Sequence, residues 1–270
     1  MLELTGVTHT FKAGTPNEVR ALQEINLTVA DGSFVVVIGT NGSGKSTLQG
    51  AVAGTFIPDH GSITLSDTEI TRWPEHRRAR LIGRVFQNPF SGTAPDMSIA
   101  ENLALAAKRG RGRGLGWALQ PSLMQAFRER VQSLKMGLED RLDNRIGSLS
   151  GGQRQALTLI MATWRRPELL LLDEHTAALD PKTADQVIRL TEEIVSAGKL
   201  TTLMVTHSMQ QAVNLGDRLI MMHRGRIVFD FSGAEKRRLR VPDLLHRFEE
   251  VRRMDQIDES VAALLRDQYI

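Results

Sequence analysis

The chain has 270 residues, with 34 Lys and Arg against 31 Asp and Glu for a formal charge of +3, 41% hydrophobic residues and 24% charged ones. This excludes a disordered chain and gives direct nucleic-acid binding no support from charge. The absence of Cys excludes disulfides, thiolate metal sites and cysteine nucleophiles, and fits a reducing compartment with the cytoplasm as default.

In chain order, the first residues lack the basic and apolar pattern of a leader, and no apolar run approaches the roughly 18 residues of a membrane span. If the chain serves a membrane, another chain supplies the pore. Residues 19–29 alternate patchily, and Phe34-Val-Val-Val-Ile38 is a continuous β-branched run bounded by Asp31-Gly32 and Gly39, as a buried parallel strand is. Gly39-Thr40-Asn41-Gly42-Ser43-Gly44-Lys45-Ser46 follows, matching G-x-x-x-x-G-K-[ST] between that strand and an apolar helix predicted over 47–53. Glycines let the backbone curl so that N–H groups point at phosphate, and the helix start adds its positive end. Lys45 then reaches the β/γ oxygens, and Ser46 offers its hydroxyl to Mg²⁺.

Further strand-like runs fall at 63–65, 81–86, 169–172, 200–205, 219–222 and 227–229, several separated by helical patterns. That order predicts an α/β fold with a largely parallel sheet. Between about Ser98 and Trp164 no strand is predicted, and helices are expected at 99–107, 122–136 and 153–164. The Gly/Arg-rich segment Lys108 to Gly114 reads as a solvated loop, with contact to anionic lipid headgroups as the alternative.

Leu149-Ser150-Gly151-Gly152-Gln153 precedes a helical run and places Ser150 as its N-cap, a second helix start able to read an anion. Glu168-Leu-Leu-Leu-Leu-Asp173-Glu174 is an apolar strand ending in two carboxylates, at the sheet edge where α/β folds bind ligands. Strand alternation sends them different ways: Asp173 suits Mg²⁺, and Glu174 suits an attacking water. After Gly233 the pattern is helical again. Pro242 opens a helix with Leu244, Leu245, Phe248 and Val251 on one face, and Ile257, Val261, Leu264 and Leu265 form a second stripe. Docking on the chain's own domain is the simpler reading, with a subunit contact as the alternative.

Taken together these motifs resemble the nucleotide-binding subunit of ATP-binding cassette (ABC) transporters over residues 1 to about 230. The resemblance implies a P-loop NTPase (RecA-like) α/β core, an antiparallel β subdomain, and an inserted α-helical subdomain at about 88–165, followed by a helical extension over 231–270. In that family Gly39 to Thr47 is the phosphate loop and LSGGQ the signature. Gln87 looks like the Q-loop glutamine that joins core to helical subdomain and meets Mg²⁺ and water. Asp180 is similar to the D-loop aspartate at the dimer seam, and His207 resembles the switch histidine on the γ-phosphate. Phe11 looks like the aromatic on adenine, with plain core packing as its alternative. The resemblance further implies a head-to-tail homodimer with each ATP between one P-loop and the partner's Ser150, Gly151, Gly152 and Gln153. Mg²⁺ would be held by Ser46, Gln87 and Asp173, and catalysis would fall to Glu174, His207, Gln87 and Lys45. One departure concerns backbone stiffness and pH response: His175 stands where the family usually has Pro.

The activity implied is ATP hydrolysis that drives transport through separate transmembrane permease subunits at the inner face of the cell membrane. The docking groove would lie near Gln87 to Pro95, and a solute-binding protein would complete the assembly. Residues 173–183 and 219–226 are similar to ATPases of a small importer group for amino-acid-like solutes, aromatic ones included. The alternatives are an exporter ATPase, a soluble ABC ATPase acting on nucleic acid, and a nonhydrolytic nucleotide sensor. One cassette, no Cys and about 105 residues between Lys45 and Ser150 argue against the soluble nucleic-acid ATPase, and Glu174 argues against the sensor.

Overall fold

The computed structural model describes residues 1–110, 120–251 and 253. Its first half runs β1 (Leu2–Phe11), β2 (Val19–Val29), β3 (Phe34–Gly39), α1 (Lys45–Ala53), β4 (His60–Leu65), β5 (Thr68–Glu69), α2 (Glu75–Arg78) and β6 (Ile82–Val85). The second half runs α3 (Ile99–Ala107), α4 (Pro121–Gln132), α5 (Gly151–Thr163), β7 (Leu169–Asp173), α6 (Pro181–Gly198), β8 (Thr202–Val205), α7 (Met209–Asn214), β9 (Arg218–His223), β10 (Arg226–Ser232) and α8 (Gly233–Arg238). A last helix, α9, covers 241–251.

Two sheets result. The first is antiparallel, in the order β2-β1-β4-β5, and the second follows the order β10-β9-β3-β8-β7-β6. In the second sheet β9, β3, β8, β7 and β6 are parallel and β10 is an antiparallel edge. Every residue of β3 is buried, which explains an unbroken apolar run where a half-exposed strand would alternate. Its side chains feed two cores. Val35 and Val37, with Leu169, Leu171, Leu203 and Val205, face α1 and the antiparallel sheet. Phe34, Val36 and Ile38, with Leu170, Leu172 and Met204, face the helical layer. Each such side chain contributes roughly 1.5–3 kcal/mol on burial.

β1 is absent from the predicted strands for a physical reason. Leu2 and Leu4 point inward, the register then slips between Leu4 and Val7, and Gly6 takes a φ of +59°. A bulge shifts every later side chain to the other face, so the period of two breaks.

Among the described residues between 98 and 163 the only β pairing is a single bridge, Ser98 to Arg145. α3 opens on a capping box: Glu101 N–H donates to Ser98 Oγ at 3.1 Å, and Ser98 N–H donates to Glu101 Oε2 at 2.7 Å. α4 opens on Pro121 and buries Phe127 and Val131. The Gly/Arg-rich segment is not simply solvated at its start. Arg109 donates to the Ala162 and Arg165 carbonyls at 2.9 and 3.3 Å, because the C-terminal end of α5 offers carbonyls without helical partners. Residues 111–114 of that segment lie outside the described residues. The α9 stripe also needs correction. Leu244 and Val251 are buried and Phe248 packs on the core, whereas Leu245 is 49% exposed. The helix therefore docks on its own domain along a narrower face than its sequence offers. Ile257, Val261, Leu264 and Leu265 lie outside the described residues.

Candidate functional site

Three parallel strands deliver the site. In register, Val37 of β3 and Asp173 of β7 both lie beside Val205 of the intervening β8. The segments that leave β3, β7 and β8 therefore start from one edge: Gly39 to Thr47, Asp173-Glu174 and Thr206-His207. That is the carboxyl edge, where ligands of open α/β sheets sit.

The phosphate loop curls as its glycines require. A Cβ on Gly44, at φ +99°, would meet the Ala21 carbonyl oxygen at 2.5 Å, and one on Gly39 would strike the Met222 carbonyl. α1 then starts with no side-chain cap and no acid in its first turn, so its positive end faces the loop uncompensated. Lys45 is 4% exposed, and its ammonium donates to the carbonyls of Gly39 and Thr40, both at 2.9 Å. Burial pulls its pKa down, and the charges of Glu174 and Asp173 pull it back up. Thr40, Asn41, Gly42 and Ser43 complete the turn, while Ser46 stays exposed and Thr47 half-buried on the first turn of α1.

Gln49, one turn further along α1, donates to the Leu172 and Leu203 carbonyls at 2.9 and 3.2 Å. This buried amide ties the helix carrying Ser46 to the strand ends carrying Asp173 and His207. Asp173 is half-buried. Desolvation raises its pKa against the lowering fields of Arg84, Lys45 and His207, and Arg84 Nη2 lies 3.9 Å from its Oδ2. The Ser46 hydroxyl, the Asp173 carboxylate and the amide oxygen of the exposed Gln87 are oxygen donors of the kind that suits a hard cation.

Asp173 closes β7, and Glu174 follows it outside the strand in a left-handed backbone, where alternation no longer sets the side chain's direction; both carboxylates act on Lys45. Glu174 Oε1 lies 2.6 Å from His207 Nε2; the carboxylate side chain is 11% exposed and the imidazole 47%. Glu174 itself has a φ of +44°, an uncommon backbone for a residue with a side chain. Its successor His175 is fully buried with Nε2 3.0 Å from Thr191 Oγ1.

The signature start has other neighbours. Ser150 caps α5 as expected: Gln153 N–H donates to Ser150 Oγ, and Ser150 N–H donates to Gln153 Oε1, both at 3.3 Å. Gly151 abuts Leu179, and a Cβ on Gly152 would run into Thr183. Asp180 caps α6, accepting from Thr183 N–H at 3.1 Å, and those bonds lower its pKa. Phe11 is 40% exposed, with its ring edge-on to His9 at 4.6 Å, so it is not plain core.

Sequence reasoning passed over Arg84, Gln49, Gln155 and Arg154. Gln155 donates to the Phe86 carbonyl at 3.3 Å, and the Arg154 guanidinium lies 3.7 Å over the ring of Phe90. The signature helix is thereby fastened to the Gln87 segment.

Residues 22–177 match the ABC transporter family. Over 92% of its length the chain is 42% identical to a tyrosine transport ATP-binding protein of Clostridioides difficile (strain R20291), of which the match covers 99%. It is 36% identical to the phosphonates import ATP-binding protein PhnC 1 of Ruegeria sp. (strain TM1040), covering 87% of this chain and 90% of that one. Among solved structures, the ATP-binding cassette MJ0796, in a dimeric post-hydrolysis state bound to ADP and Pi, superposes with a TM-score of 0.73 at 27% identity. That match covers 86% of this chain and 98% of the other. A carboxyl edge holding the phosphate loop, the strand-end acids and the histidine, together with these matches, shows that the chain belongs to the ABC transporter family as an ATP-hydrolysing, P-loop cassette.

Proposed function

We propose that the chain is the ATPase subunit of an importer, working as a head-to-tail homodimer that docks on separate transmembrane permease subunits at the cytoplasmic face of the membrane. The observation that carries the chemistry is the convergence of Lys45, Asp173 and the Glu174–His207 pair on one sheet edge. Lys45 and the first turn of α1 hold the β- and γ-phosphates. Ser46, Asp173 and Gln87 would hold Mg²⁺, which would supply charge neutralisation for the phosphates. Glu174 orients a water on the γ-phosphorus and takes its proton as the new P–O bond forms. The bond from the γ-phosphorus to the β,γ-bridging oxygen breaks, leaving ADP and inorganic phosphate. His207 fixes the carboxylate and, with the partner's Ser150 to Gln153 segment, surrounds the transferring group with donors. Phe11 stacks on adenine and Asp180 lies at the seam between copies.

The permease groove is read from the Gln87 to Pro95 segment, where Phe90 is 55% exposed, an apolar ring held outward by Arg154. Among the described residues no helix is long and apolar enough to cross a membrane. The phosphonate-import relative supports import, and the tyrosine-transport relative supports an amino-acid-like, aromatic solute; a solute-binding protein would complete the assembly. Glu174→Gln tests the reading. Phosphate release should fall at least 100-fold while ATP still binds and traps a dimer on size exclusion. Turnover at the wild-type rate, or a monomer throughout, sinks it.

A further inference from the structure

The backbone at Glu174 needs explaining. A φ of +44° on a glutamate costs on the order of 1 kcal/mol or more and persists only where the surroundings impose it. One restraint is local: Glu174 N–H donates to the Val205 carbonyl at 3.0 Å, and its own carbonyl accepts from Ala177 N–H at 2.9 Å. A second comes from Thr176, whose Oγ1 accepts from Gln211 Nε2 at 3.1 Å. Gln211 Oε1 in turn accepts from the Thr206 hydroxyl at 2.7 Å, beside His207. The third is His175.

The tautomer of that ring follows from its partner. The Thr191 hydroxyl donates to the Val187 carbonyl at 2.8 Å, so its oxygen is left to accept, and the hydrogen of the 3.0 Å contact sits on His175 Nε2. Nδ1 is then a bare acceptor, and it has no partner among the described residues. An apolar side chain in this fully buried place would avoid that unsatisfied nitrogen and its cost. What the imidazole has that an apolar residue lacks is the Nε2–H bond, which fastens the residue after Glu174 to the middle of α6.

We propose that His175 is a positioning residue for hydrolysis: through its hydrogen bond to Thr191 it locks the Glu174 backbone so that the carboxylate stays on His207 and faces the attacking water. The inference rests on the reading of Glu174 as the group that orients that water. α6 supplies the anchor at its buried face, three turns beyond Asp180, so the carboxylate and the start of α6 share one frame.

The test is steady-state MgATP hydrolysis by the full chain. Thr191→Val keeps the shape and removes the acceptor. It should lower kcat about tenfold with KM for ATP within about twofold, since about 1.4 kcal/mol of misplacement is tenfold in rate. His175→Leu should match it. His175→Gln, whose amide N–H reaches the same oxygen, should stay within about threefold of wild type. In a Glu174→Gln background, Thr191→Val should lower the residual rate no further. Wild-type kcat in Thr191→Val overturns the proposal. So does an equal fall in both backgrounds, or a change confined to KM. Where His175→Leu fails to fold, the Thr191→Val pair of measurements decides alone. If Glu174→Gln itself turns over normally, the underlying reading of the site fails first, a result distinct from an inert Thr191→Val beside a dead Glu174→Gln.

Discussion

The starts of α1 and α5 are both glycine-rich, both exposed at their tips and both expected to read phosphate, yet they are built in opposite ways. α1 begins after Gly44 in a left-handed conformation, with no side-chain cap and no acid in its first turn. α5 begins with its own serine and glutamine occupying the orphan donors, through two hydrogen bonds of 3.3 Å. An uncapped start leaves backbone N–H groups for an anion, whereas a capping box has already spent them. The bonds at α5 are long, so an arriving anion can replace them. One chain therefore carries an uncapped helix start and a latched one, and on the function proposed above the affinity of an isolated chain for ATP should reside at α1.

Lys45→Ala attacks the uncapped start and has the largest expected effect. Losing the buried ammonium should weaken ATP binding by the isolated chain by about 100-fold, a charge-assisted bond being worth roughly 1.5–3 kcal/mol. Calorimetric affinity within threefold of wild type breaks the comparison. Acid probes the β7–α6 junction between the two starts. Burial of His175 brings its pKa down from 6.5 to about 4, so in this window the unfolded chain binds the proton and the folded one does not. Stability should be complete above pH 6.5 and fall as pH drops towards 4, by up to about 3 kcal/mol. Melting temperatures should lose that component in His175→Gln, and an identical pH slope in the variant refutes the assignment.

Ser150→Ala addresses the latched site. It should leave ATP affinity of the isolated chain within about twofold, cost about 1 kcal/mol or some 2–4 °C in Tm, and weaken the ATP-dependent dimer about tenfold. A loss of monomer affinity would show that α5 is not latched. Gln153→Ala removes one bond of the box and keeps the Ser150 acceptor. About 0.5 kcal/mol of stability should go, and the ATP-dependent dimer should weaken by less than in Ser150→Ala on size exclusion.

The legible parts of this site are those encoded contiguously. The phosphate loop, the strand ending in Asp173-Glu174 and the Ser150 cap each depend on neighbours within a few residues, and each lies where its spacing predicts. The expectation that alternation alone sends the two carboxylates apart does not carry over, because β7 ends at Asp173 and Glu174 takes a left-handed backbone. Arg84, Gln49, Gln155 and the surroundings of His175 were not legible, because their partners lie far away in sequence. Gln49 meets carbonyls at 172 and 203, and no local pattern marks an amide for that task. Arg109 reads as solvated because composition does not announce the end of α5, and β1 escaped because a bulge at Gly6 scrambles its period.

Gly152 has a mechanical meaning beyond its place in the signature. With no side chain there, the head of α5 nests directly on Thr183 in the first turn of α6, with Asp180 one residue before that helix. In the head-to-tail pair proposed above, each chain lends α5 to one nucleotide and Glu174 to the other. In that arrangement the helix offered to one nucleotide would rest directly on the helix that anchors, through Thr191, the residue after the other nucleotide's carboxylate.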